Sequence, residues 1–185
     1  MIITVSLLSF LVLVFYGSFN TLVFNYFRVQ QTATQFSDLA FASQRVANVL
    51  RGTTDFIAVS DNEATVYAYF YPNNAYVSQI RYYLNASNTQ LLADVTPMTE
   101  NPPTGTPITA SKKTYTIIPN YFKASGVNLF TYLDASGNTL TLPVSDQHII
   151  KGMKIVLAVP KVDANSTTGQ TMELNISLRN RKTNL

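Results

Sequence analysis

No cysteine occurs among the 185 residues. That excludes thiol catalysis, thiolate-bound zinc and any disulfide framework. An extracellular domain in this chain must therefore rely on its core alone. Charge is also scarce. Asp, Glu, Lys and Arg make up 12% of the chain, about half the usual share. Residues 1–27 hold none of it: all 13 Lys and Arg and all 10 Asp and Glu lie at or after Arg28. Proline is missing from residues 1–51, and residues 28–51 lack glycine as well. His148 is the sole histidine and has no second imidazole for a metal site or a triad. Nucleophile-elbow, zincin, P-loop and dinucleotide-binding motifs are all absent. No enzymatic activity, cofactor or metal is expected. The net charge of +3 comes from scattered basic residues, a pattern of solvated surface that predicts no specific nucleic-acid binding. Only Arg179, Arg181 and Lys182 cluster locally.

What is present begins with an apolar run, MIITVSLLSFLVLVFYGSFNTLVFNYF, over residues 1–27. As a helix it would measure about 40 Å, longer than a hydrocarbon core of about 30 Å. Its length without one charge is hard to bury inside a domain of this size. A cleavable signal peptide would need a basic start, a shorter apolar core and a small-residue cleavage site, none of which is present. The first positive residue, Arg28, flanks the large domain, whereas positive flanks normally stay cytoplasmic. Loss of a short basic leader ahead of this N-terminus would resolve the orientation, and such a leader is expected.

The helix is predicted to continue. Phe36, Leu39, Ala40, Ser43, Val46, Ala47 and Leu50 recur at steps of three and four, an amphipathic stripe suited to lie against a sheet. Gly52 follows as a stop signal, with Arg51 in the last turn. One helix of about 50 residues results, roughly 75 Å long. Phe36, Leu39, Val46 and Leu50 are its expected contacts with a sheet.

After Gly52 the period becomes alternating. Residues 65–71 (TVYAYFY) and 77–84 (VSQIRYYL) suggest a hairpin, with Tyr67, Tyr69 and Tyr71 on one strand face and assigned to core or sheet packing. Further strands are predicted at 90–95, 115–118, 129–133, 139–142, 151–159 and 172–178. The sequence DASGN at 134–138 has the turn chemistry to join 129–133 to 139–142. Residues 96–112 carry four prolines and read as a surface loop. Residues 163–169 read as a polar turn. The fold class is therefore α+β: one long helix, then an antiparallel β head of about eight strands.

Two acidic groups, Asp61/Asn62/Glu63 and Asp134/Asn138, lack EF-hand spacing and are read as turns. Asn85, Asn165 and Asn175 each begin an N-glycosylation triplet. Asn85 and Asn165 fall in loops and are the better candidates, because Asn175 lies within a predicted strand.

Several short segments, taken in order, resemble the type IV pilin and type II secretion pseudopilin superfamily. They are QRVANVLR at 44–51, IRYYL at 80–84, FTYLDASG at 130–137, IKGMKIVL at 150–157 and LNISLRN at 174–180. The head is most similar to J-type minor pseudopilins and related minor pilins. The resemblance implies three regions: a transmembrane and filament-core helix half at 1–27, an amphipathic half at 28–52 and a β-rich extracellular head at 53–185. It also implies a membrane precursor cut by a prepilin peptidase. An assembly platform then draws the subunit, with copies of itself or related pilins, into a cell-surface or periplasmic filament. Phe10, Leu11, Val14, Phe15, Leu22, Val23, Phe24 and Phe27 are the expected filament-core residues, and Met1 is where N-terminal methylation would fall. Met1 and Val5 replace the family's usual Phe and Glu, and the common helix-breaking proline is absent. Gly17, Ser18 and Asn20 are then the weakest helix formers. The alternative is a single-pass anchored ectodomain that binds a ligand and never polymerises.

Overall fold

Helix α1 spans Ile2–Arg51, 50 residues, in the computed structural model, which describes residues 2–161 and 169–179. With no proline inside it, nothing interrupts its backbone ladder. It crosses Gly17, Ser18 and Asn20 without a break. Its end is tightened by two three-residue bonds, from the Gly52 amide to the Val49 carbonyl and from the Thr53 amide to the Leu50 carbonyl, each 3.1 Å. Such bonds serve carbonyls that a helix end would otherwise leave unpaired. The Thr54 amide already donates to the Tyr67 carbonyl at 2.8 Å, so the chain passes from helix to sheet within three residues.

Five strands then form an antiparallel meander in the order β1 (Asp55–Val59), β2 (Glu63–Ala68), β3 (Ser78–Leu84), β4 (Leu91–Pro97) and β5 (Lys113–Ile118). A second antiparallel sheet holds β6 (Phe130–Leu133), β7 (Gly152–Pro160) and β8 (Gly169–Ser177), with β7 central. One core joins them to the helix. Val66, Ile80, Tyr82, Leu91 and Ala93 come from the first sheet, Phe130, Tyr132, Met153, Ile155, Leu157 and Ile176 from the second, and Leu39, Val46 and Leu50 from α1. The sheets are also stitched by polar contacts. The Tyr132 hydroxyl lies 3.1 Å from both the Ser60 and Glu63 carbonyls, and the Phe130 amide donates to the Asp61 carbonyl at 2.9 Å.

The outer face of the meander is polar. Thr65, Arg81, Asp94 and Thr114 stand in one row across four strands. Arg81 grips Glu63 with two bonds of 2.6 and 2.7 Å, and its guanidinium lies 4.5 Å from the Tyr83 ring centroid. Asp94 takes Lys112 at 2.6 Å, the Thr114 hydroxyl at 2.6 Å and the Tyr83 hydroxyl at 3.3 Å.

Some expectations need correction. Strand β1 was not foreseen: it is a five-residue edge with a bulge near Phe56, and only Phe56 is fully buried. Residues 139–142 form no strand. The turn at 134–138 is present, closed by Asp134 on the Ser136 and Asn138 amides, both at 2.8 Å. Beyond it, only Thr139 bridges Leu133 and the Leu140 amide reaches the Tyr132 carbonyl. The same free edge of β6 is already occupied at Phe130 by Asp61, which leaves no room for a longer hairpin. The tyrosine run faces the other way from the core. Ala64, Val66, Ala68 and Phe70 point inward, while Tyr69 and Tyr71 are exposed and Tyr67 is half-buried. Packing under the helix favours the smaller residues there. The polar turn at 163–169 lies outside the described residues up to Gly169, the first residue of β8.

The proline-rich loop is ordered through its own contacts. Met98 bridges Pro107, the Thr99 amide donates to the Thr106 carbonyl at 3.0 Å, and Asn101 Oδ1 accepts the Val77 amide at 2.9 Å. Gly105 folds so close to Glu100 that a Cβ would lie 1.9 Å from its carbonyl oxygen. Only glycine fits.

Candidate assembly surface

The surface that distinguishes this molecule is the free half of α1. Every large apolar side chain from Ile2 through Val29 is exposed, except Val23, which is partly covered. Phe10, Leu11, Val14, Phe15, Leu22, Phe24 and Phe27 are among them. Leaving one such side chain in water rather than burying it forfeits about 1.5–3 kcal/mol. Over this half the sum reaches tens of kcal/mol, beyond the about 5–15 kcal/mol that holds a typical domain folded. The free half therefore needs a cover that the described residues do not supply.

Three of its polar side chains suit an apolar cover. Ser6 donates to the Ile3 carbonyl at 3.0 Å, Ser9 to Val5 at 2.9 Å and Thr21 to Gly17 at 2.9 Å. Each hydroxyl is thus satisfied within the helix, as a segment outside water requires. By length and composition α1 is apolar enough to cross a membrane. A long apolar N-terminal helix carrying an antiparallel β head is a pilin-like architecture.

The second half of α1 is different. Leu39, Ser43, Val46, Ala47, Val49 and Leu50 are buried against β7 and β8, with β2 and β5 also in reach. Phe36 shares the stripe of Ser43 and Leu50, at steps of seven, yet it is 48% exposed, at the edge where the head begins to cover the helix, while Leu39 one turn on is buried. On the opposite side Phe41 is 70% exposed and opens onto a groove of about 780 Å³. Gln44, Arg45 and Asn48 of the helix line it with Tyr69, Tyr71 and Pro72. The Arg45 guanidinium stands 4.8 Å from the Phe70 ring centroid and 5.8 Å from that of Tyr71. The Tyr71 hydroxyl is held below the ordinary range, chiefly by its bond with Tyr115 and further by Arg45. Nothing in the residue order points directly to this groove, although Phe41 near a cation on an otherwise polar helix face was a signal.

The remaining candidates are structural or lie outside what is described. Asn85 Oδ1 accepts the Thr89 and Gln90 amides at 2.8 and 3.1 Å, and its Nδ2 donates to the Thr89 hydroxyl, so this side chain is tied into a turn. Asn175 is exposed within β8. Met1, Asn165, Arg181 and Lys182 fall outside the described residues. The His148 amide donates to the Asp146 carboxylate at 2.9 Å in a short 3-10 turn. No group of three metal-ligating side chains occurs among the described residues. No protein-family model matches the chain, and no curated protein matches it.

Proposed function

We propose that this chain is a structural subunit of a type IV pilus-like filament, a pilin or pseudopilin without catalytic activity, that assembles through the free half of α1. The observation that carries the proposal is an apolar helix half exposed on all sides and continuous with the half that packs on a folded head. In the precursor, lipid covers the apolar half. In the filament, helices of other copies or of related pilins replace the lipid, and apolar side chains exchange one dry neighbour for another. A prepilin peptidase and an assembly platform are the partners this route requires, and the head ends at the cell surface or in the periplasm. The test is electron microscopy of filaments sheared from cells, with mass spectrometry of their subunits. Filaments containing this chain support the proposal. A chain found only as a membrane-bound monomer, with no filament, would establish the anchored ectodomain instead.

A further inference from the structure

Two of the three N-glycosylation triplets lie among the described residues, and their side chains are in different states. At Asn85 both polar atoms of the amide are engaged by one residue. Its Oδ1 accepts the Thr89 amide at 2.8 Å, and its Nδ2 donates to the Thr89 hydroxyl at 3.2 Å. Ser87, the third residue of that triplet, shares a hydrogen bond of 2.8 Å with the same hydroxyl. A secondary amide is trans, which places the carbon on nitrogen on the same side as the carbonyl oxygen. A sugar on Asn85 would therefore enter the space that Thr89 fills, and the turn would have to open. Asn175 differs on each count. It is exposed on β8, whose partner in the sheet is β7. Ser177 is exposed too, and two residues on it faces the same side of the strand. No hydrogen bond engages either side chain among the described residues. Lys154, the cross-strand neighbour of Asn175, is held by Glu173 at 2.7 Å. The face beside them is hollow. Leu133, Gly152 and Ser177 stand in one cross-strand row, and Gly152 puts no side chain into it. The space there is about 440 Å³, bordered by Asp134, Lys151 and Asn175, so a sugar ring finds both room and polar partners.

We infer that Asn175 carries an N-linked oligosaccharide and that Asn85 carries none. This reverses the order expected from the sequence, in which a loop site outranks a strand site. Transfer takes place on the extended chain, before β8 pairs with β7, and the finished fold decides which modified side chain it can hold. In the transfer, Asn175 Nδ2 bonds to the anomeric carbon of a lipid-pyrophosphate-linked oligosaccharide. The bond from that carbon to the phosphate oxygen breaks, the lipid pyrophosphate leaves with the electron pair, and Nδ2 gives up one proton to a base of the transferase. The Ser177 hydroxyl completes the triplet that the transferase reads. The inference stands whether or not the chain forms filaments.

Mass spectrometry of the full chain, purified from the cells that make it, tests the assignment. Asn165 and Asn175 fall on one tryptic peptide, residues 162–179, so electron-transfer fragmentation is used to place the sugar. Sugar mass is expected on Asn175 and none on Asn85. Asn175→Gln and Ser177→Ala should each remove the Asn175 sugar completely, while Ser177→Thr, which keeps the triplet, should retain it. Asn85→Gln should leave the sugar content unchanged. An unmodified Asn175 in the unaltered chain, a sugar on Asn85, or a sugar on Ser177 that persists in Asn175→Gln would overturn the assignment. Each of those results would leave the filament reading intact.

Discussion

The half of α1 before Arg28 carries far more apolar side chain than the half after it, and the two stand in opposite situations. From Leu39 onward, the apolar residues other than Phe41 keep mainly to one side, and two sheets close over it. Before Arg28 they occupy every face, and the chain folds nothing over them. Hydrophobicity confined to a stripe encodes a contact within the chain, whereas hydrophobicity on all faces encodes a contact outside it. The two halves should therefore respond to substitution in separable ways.

The largest separation is expected from charge. Leu11→Asp or Val14→Lys should abolish filaments, since a charge at the centre of a membrane helix costs about 2.5–3.5 kcal/mol. Head unfolding, followed by circular dichroism of the detergent-solubilised chain, should be unchanged. Leu50→Ala should do the reverse. Leu50 is fully buried, so the head should lose about 2–5 kcal/mol in denaturant titrations. Leu11→Ala in the same titration should shift the head's midpoint by nothing measurable.

That contrast also marks what could be read from residues alone. The whole of α1 was legible because missing proline, missing charge and a 3.6-residue period are strong local signals. Central strands such as β3 and β7 were legible because apolar and polar residues alternate along much of their length. Strand β1 was not, because a bulged edge strand with one buried residue leaves no period. The inward face of β2 was misjudged because alternation shows that two faces exist without showing which is covered, and Ala64, Val66 and Ala68 are small where the tyrosines are conspicuous. The groove beside Arg45 depends on residues 41–48 meeting 69–72, a pairing set by tertiary packing. Residues expected in the filament core were legible as a surface, but Phe36, expected to pack on a sheet with Leu39, Val46 and Leu50, stays exposed at the edge of the head.

A smaller effect sharpens the comparison from the head's side. Burial alone would raise the Asp94 pKa, but bonds from Lys112, Thr114 and Tyr83 outweigh it and hold the carboxyl below its ordinary value. The contribution of Asp94 to stability is therefore complete above an unfolded-state pKa of about 3.9 and is lost as pH falls through the lower folded-state value. Asp94→Asn should cost about 1 kcal/mol at neutral pH. The gap between variant and parent should close in acid denaturation series below about pH 4.

Two glycines, one in each region, carry the same comparison to the backbone. Gly17 has nothing within 4 Å of where a Cβ would stand, so Gly17→Ala should favour the free helix by about 0.5–1 kcal/mol, read as increased helicity in detergent. Gly105→Ala meets the Glu100 carbonyl and should destabilise the head by about 1–3 kcal/mol.

The joint between helix and sheet has a mechanical meaning. Only Gly52 and Thr53 separate α1 from the first bond of the meander at Thr54, and Thr53 is fully buried. Such a joint has no slack and no hinge. Tension applied along the rod reaches the head as shear along Leu39, Val46 and Leu50 instead of peeling open a linker. A single molecule pulled from the free end of the helix should therefore extend with no compliant lead-in before the head yields, and a soft initial extension at the joint would contradict that coupling.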